Sequence, residues 1–119
     1  MLLIASAILI LCGVTHSYLG ERYILMRLFR SHSIPHLFGS DEFTKGTLRF
    51  CWHITSIAWF GFAALLIGSE FTYLFMLNVV SLVFLLSALF SAYFTKGKHL
   101  SWVAFLVVSV LTFLASGGV

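Results

Sequence analysis

The sequence predicts an all-α polytopic integral membrane protein, a four-helix bundle with both termini outside the cytoplasm. Three observations carry that prediction: an apolar composition, four runs of membrane-crossing length, and basic residues confined to one side of those runs. Of 119 residues, 61% are hydrophobic and only 9% charged, and mean hydropathy is +1.05, against about 25% charged residues in ordinary soluble domains. Such a chain cannot present a water-exposed surface. With 17% aromatic residues and one proline it also lacks the signature of disorder, and one domain spanning 1–119 is expected.

Crossing about 30 Å of hydrocarbon takes about 20 apolar residues. The first run extends over about 1–19 and ends at "GER"; no basic residue precedes it and no small-x-small cleavage site follows, so it is expected to be a span and not a cleaved signal peptide. The second covers about 50–67, the third about 71–94 and the fourth about 100–115. The "GSE" between runs two and three makes those helices antiparallel neighbours. Between runs one and two lies the only sizeable loop, about 20–49. In it "YILMRLF" can prolong the first helix amphipathically, Pro35 and Gly39 break the chain, and Ser40, Asp41 and Glu42 suit the start of the next helix near Asp41.

Arg22, Arg27, Arg30, Lys45 and Arg49 lie between runs one and two, and Lys96 and Lys98 between runs three and four. The other side carries only Glu70. The positive-inside rule makes the basic side cytoplasmic, and the net charge of +3 is then matched to anionic lipid headgroups, with no call for nucleic acid. Cys12 and Cys51 form no CxxC motif and are expected to be buried free thiols.

All five histidines fall on the basic side. His16 and His53 each lie about one turn, roughly 5 Å, inside the boundary on helices one and two, while His32 and His36 are in the loop and His99 opens helix four. On helix one, Glu21 points about 140° away from His16 and can approach it only if the helix distorts at Gly20. On helix two, Arg49 and Ser56 share the His53 face, Trp52 and Trp59 form a separate stripe, and Cys51 points about 160° away. Neutral imidazole is the commonest metal ligand, and facing helices are where bundles build such sites. The pattern therefore points to His16 and His53 as ligands of a transition metal, completed by Glu21, His32 and His36, or of a b-type haem with Arg49 on a propionate. Redox or membrane-complex subunit is the role that follows. Other readings use the same residues: a lipid or quinone headgroup site, or plain interhelical hydrogen bonding by "THS" and "HITS" in an assembly or scaffold protein. Asn78 and Ser81 are expected to pack against Ser109, Thr112 and Ser116. A transporter or channel is a further reading, disfavoured because the outer halves of the helices carry only scattered Asn, Ser and Thr and no span carries a mid-membrane ionisable residue for proton coupling. So little extramembrane mass suits a homo-oligomer or a subunit of a larger membrane complex.

At "HSYLGERYIL" (His16 to Leu25) and "LRFCWHITSIAWFGFAALL" (Leu48 to Leu66) the chain resembles small bacterial four-helix inner-membrane proteins with the pattern HSxLGE followed by LRxxWHxTS. The resemblance implies the bacterial inner membrane and a four-helix fold, and carries no activity. The first-helix intramembrane glutamate of small multidrug transporters and the glycine-rich arginine motif of fluoride channels are both missing.

Overall fold

The computed structural model describes residues 1–68 and 72–118. Helix α1 runs over Leu2–Leu28, α2 over Glu42–Ile67, α3 over Tyr73–Thr95 and α4 over Ser101–Ala115. The first three are long and apolar enough to cross a membrane. The fourth, at 15 residues, is about 22 Å long and shorter than the span its apolar run suggests. Ser69, Glu70 and Phe71 lie outside the described residues, so the expected "GSE" turn, the lone Glu70 charge and the expected third-helix start at Phe71 lie outside them too.

The helix boundaries follow local chemistry. Asp41 flanks α2, where a 2.7 Å bond from Lys45 holds its carboxyl below the usual aspartate range, and Ser40 Oγ accepts the Glu42 N–H at 3.4 Å. Thr72 caps α3 by accepting the Phe75 N–H. At the far end of α3, Lys96 adopts a left-handed conformation (φ 52°) followed by Gly97 (φ 75°), whose N–H returns to Ala92 O at 2.8 Å, a C-cap that turns the chain sharply. In the α1–α2 loop, Phe38 and Gly39 both have positive φ, 56° and 87°, and close a tight turn with Leu37 N–H on Ser40 O at 2.9 Å.

The four helices do not close into the expected bundle. Each packs on its sequence neighbour, α1 on α2, α2 on α3 and α3 on α4, and among the described residues α1 touches neither α3 nor α4. The Cα envelope measures 50 × 32 × 13 Å. Four axes side by side at about 9 Å, plus a Cα radius of about 2.3 Å at each edge, account for the 32 Å width, so the helices form a single row, and the 13 Å thickness is that of a twisted row and not a flat one. Antiparallel pairing sets the basic termini side by side: Lys96 pairs with Glu42 at 3.2 Å, and Lys98 sits 5.6 Å from the Phe38 ring.

The layer is polar within and apolar without. Ser6, Ser56, Ser81, Ser87, Ser91, Ser109, Ser116 and Thr95 are buried, while Leu3, Leu11, Leu82, Leu89 and Leu111 are more than half exposed. That is the arrangement of helices associating in lipid, where small residues allow close approach and hydroxyls bond across the interface. Ser6 donates to Ala63 O (3.0 Å). Ser81 and Ser109 each donate to the other's carbonyl (2.9 and 2.8 Å), and Ser116 donates to Asn78 Oδ1 (2.7 Å), so the polar residues of α3 and α4 are consumed in packing, as expected. At Gly46 α2 approaches the α3 backbone closely: a Cβ there would lie 2.0 Å from Phe94 O. The cysteines depart from expectation. Cys12 and Cys51 are both exposed, because a single layer has no closed core to receive them.

Candidate functional site

The first helix changes its winding where the apolar run meets the charged residues. Gly20–Leu25 is π-helical, with Met26 N–H bonding five residues back to Glu21 O, between regular segments Leu2–Leu19 and Met26–Leu28. A side chain inserted into the backbone ladder is a recognised cause of such a distortion. Here Trp52 of α2 donates its indole N–H to His16 O at 2.9 Å, a carbonyl that also receives the Gly20 N–H. Only glycine permits this approach, since a Cβ on residue 20 would lie 1.8 Å from Trp52 Nε1.

Around this contact a continuous polar chain crosses the α1–α2 interface. His16 Nδ1 is 3.3 Å from Ser56 Oγ, Ser17 donates to Ser56 Oγ at 2.8 Å, and His53 Nδ1 is 3.0 Å from Ser17 Oγ. His53 Nε2 is 3.2 Å from Glu21 Oε2, and Arg49 grips the same carboxylate with Nε (3.1 Å) and a terminal nitrogen (2.6 Å). The order is imidazole, hydroxyl, hydroxyl, imidazole, carboxylate, guanidinium. Every hydroxyl and imidazole in it has both donor and acceptor capacity, so reorienting the members in turn can carry a proton between His16 and Glu21.

The two histidines differ in surroundings. His53 has both ring nitrogens engaged, and Phe90 and Phe94 of α3 stand beside it at 6.2 and 6.1 Å. Arg49 lies over Phe29 at 4.9 Å. His16 instead stacks on Trp52 (4.8 Å, 13° between planes) and meets Trp59 edge-on at 5.0 Å. Among the described residues its Nε2 has no hydrogen-bond partner, and it is not buried. With Ser17 donating to Ser56, the Ser56 hydrogen is free to go to His16 Nδ1, and a neutral ring accepting it there carries its own hydrogen on Nε2. His16 also lines a groove of about 360 Å³, with Cys12, Thr15, Leu19, Gly20, Ile24, Trp52 and Trp59.

The expected site residues thus divide. His16, Glu21, Arg49 and His53 come together, but as members of a hydrogen-bonded chain. The distortion at Gly20 exists, yet it delivers Glu21 to His53 and Arg49 and not to His16. Arg49, expected to face a bound anion, is occupied by Glu21. His32 and His36 are exposed in the loop and do not roof the cluster, because the turn at Phe38–Gly39 and the Thr44 bond to Pro35 O (2.8 Å) fold that segment against the start of α2. Among the described residues no three His, Cys, Asp or Glu side chains converge closely enough to hold a metal ion. His99 belongs to a separate cluster between α3 and α4, with Nδ1 2.8 Å from Ser101 Oγ, itself 2.6 Å from Ser91 Oγ. Ser17 and Ser56, which link the two histidines, are the hydroxyls of "THS" and "HITS" expected to bond between helices, and were not counted among the candidate ligands.

Comparison with protein-family models, with curated proteins and with solved structures finds no match.

Proposed function

We propose that this chain is a four-span inner-membrane protein, basic end in the cytoplasm and both termini outside, whose α1–α2 groove binds the head of a lipid-soluble ligand. The ligand class is one with a carbonyl-type acceptor on a flat ring, of which a quinone is the simplest. One observation carries the reading: His53 has both nitrogens engaged, whereas His16, stacked on one indole and edge-on to another, leaves Nε2 open and lines a groove that opens out of the layer. A flat ring can stack there and its carbonyl accept from Nε2–H. The chain behind His16 supplies a route for a proton towards Glu21 and the basic end. Coordination of a metal or haem by both histidines is less well supported, since His53 would first have to release Ser17 or Glu21, and Arg49 would have to leave Glu21 to meet a propionate.

The test is a titration of the purified protein with a short-chain quinone, followed by quenching of tryptophan emission. Saturable quenching that is lost in His16→Phe and retained in His53→Gln supports the proposal. Unsaturable quenching, or equal binding by His16→Phe, overturns it, and a Soret band in the freshly purified protein would restore the haem reading.

A further inference from the structure

Arg22, Arg27 and Arg30 line one polar cleft on the last turns of α1, with Tyr23 and Met26, enclosing about 220 Å³. That is the volume of about seven waters at about 30 Å³ each. Most other cations at this end are partnered: Lys45 by Asp41, Arg49 by Glu21, Lys96 by Glu42, and Lys98 by the Phe38 ring. Among the described residues no acidic side chain pairs with Arg22, Arg27 or Arg30. All three are exposed.

The π turn is what gathers them. In a regular α-helix residues five apart diverge by about 140°, which would send Arg22 and Arg27 to different sides. Where hydrogen bonds run from i to i+5, as from Met26 N–H to Glu21 O, the wider winding narrows that divergence. Arg22 and Arg27 straddle that turn. Bringing like charges together is unfavourable on its own, and a shared anion offsets it. The depth fits as well: at 27 residues, α1 is about 40 Å long and exceeds the hydrocarbon by about 10 Å. The surplus carries these arginines into the headgroup layer, where Tyr23 is also a typical interfacial residue.

We propose that this cleft binds the phosphate of an anionic phospholipid headgroup. Guanidinium forks match phosphate oxygens in pairs, and three of them around one cleft distinguish this site from the diffuse attraction of a basic surface. The proposal is independent of the ligand assigned to the His16 groove.

The experiment uses the full chain in nanodiscs of phosphatidylcholine doped with phosphatidylglycerol, then counts the lipids retained on gentle release by native mass spectrometry. The wild type should retain phosphatidylglycerol in preference to phosphatidylcholine. The triple variant Arg22→Gln, Arg27→Gln, Arg30→Gln should lose that preference by about fivefold for each arginine removed. A control with the same loss of charge at the same end, Lys45→Gln, Lys96→Gln, Lys98→Gln, should lose clearly less, because each of these groups is already partnered within the chain. Equal losses in the two triple variants, full retention in the arginine variant, or displacement of the lipid by millimolar inorganic phosphate would each overturn the proposal. Should the arginine triple variant fail to fold, Arg27→Gln alone is read by the same ratio.

Discussion

Ser17 and Ser56, on antiparallel neighbouring helices, share a 2.8 Å hydrogen bond that makes one continuous chain of two histidines placed at matching depth. Without it His16 and His53 would be two separate polar side chains. Ser56 is 1% exposed, so the bond has no competing water, and its neighbours depend on it for their second partner.

Ser56→Ala should therefore act on both histidines at once. His16 Nδ1 and the Ser17 hydroxyl each lose a partner, and stability should fall by about 1–3 kcal/mol, the cost of leaving groups unpaired in a buried setting. Thermal unfolding in detergent reads the stability. Nitrogen NMR of labelled histidine reads the coupling, with the His16 signals expected to move and those of His99, in its own cluster, expected to stay.

Glu21→Gln removes the charge, and one of the two acceptor oxygens, that Arg49 and His53 share. The carboxylate is 30% exposed, so solvent screens it and the loss should be about 1–2 kcal/mol, below the range for a fully buried pair. A double-mutant cycle with Arg49→Gln should show coupling of about 0.5–2 kcal/mol. Additive losses would mean that the 2.6 Å contact contributes no pairwise energy.

How much of this was legible in the sequence varies from residue to residue, for physical reasons. Charge placement is a sum over many residues, so the gathering of Lys96, Lys98, Arg49 and Lys45 at one end survives any error in helix boundaries. The extension of α1 through "YILMRLF" was legible from its amphipathic pattern. The single-layer arrangement was not, because apolar runs facing lipid and apolar runs facing a core have the same composition. Nor was the π turn. Helical-wheel angles assume one winding, and the departure at Gly20 lies against Trp52, a residue 32 positions away on another helix. The wheel assigned Trp52 to a separate stripe, whereas its indole reaches across to His16 O.

Two glycines test how these contacts are held, and they should differ in kind. Gly20→Ala places a methyl 1.8 Å from the Trp52 indole nitrogen, a side chain that can swing away. The expected result is loss of the bond to His16 O, a shift in tryptophan emission and destabilisation of about 1–3 kcal/mol. Gly46→Ala places a methyl 2.0 Å from the Phe94 carbonyl oxygen, which belongs to backbone and cannot swing away. There α2 and α3 must separate, and the loss should sit at or above the top of the same range of about 1–3 kcal/mol. Emission should change little in Gly46→Ala, because Trp52 and Trp59 pack around His16 at the α1–α2 interface. Unfolding and emission measured on both variants separate a local rearrangement at the His16 groove from a general opening of the layer. If Gly20→Ala left the emission unchanged, the close approach of Trp52 to α1 would not be what sets the π turn.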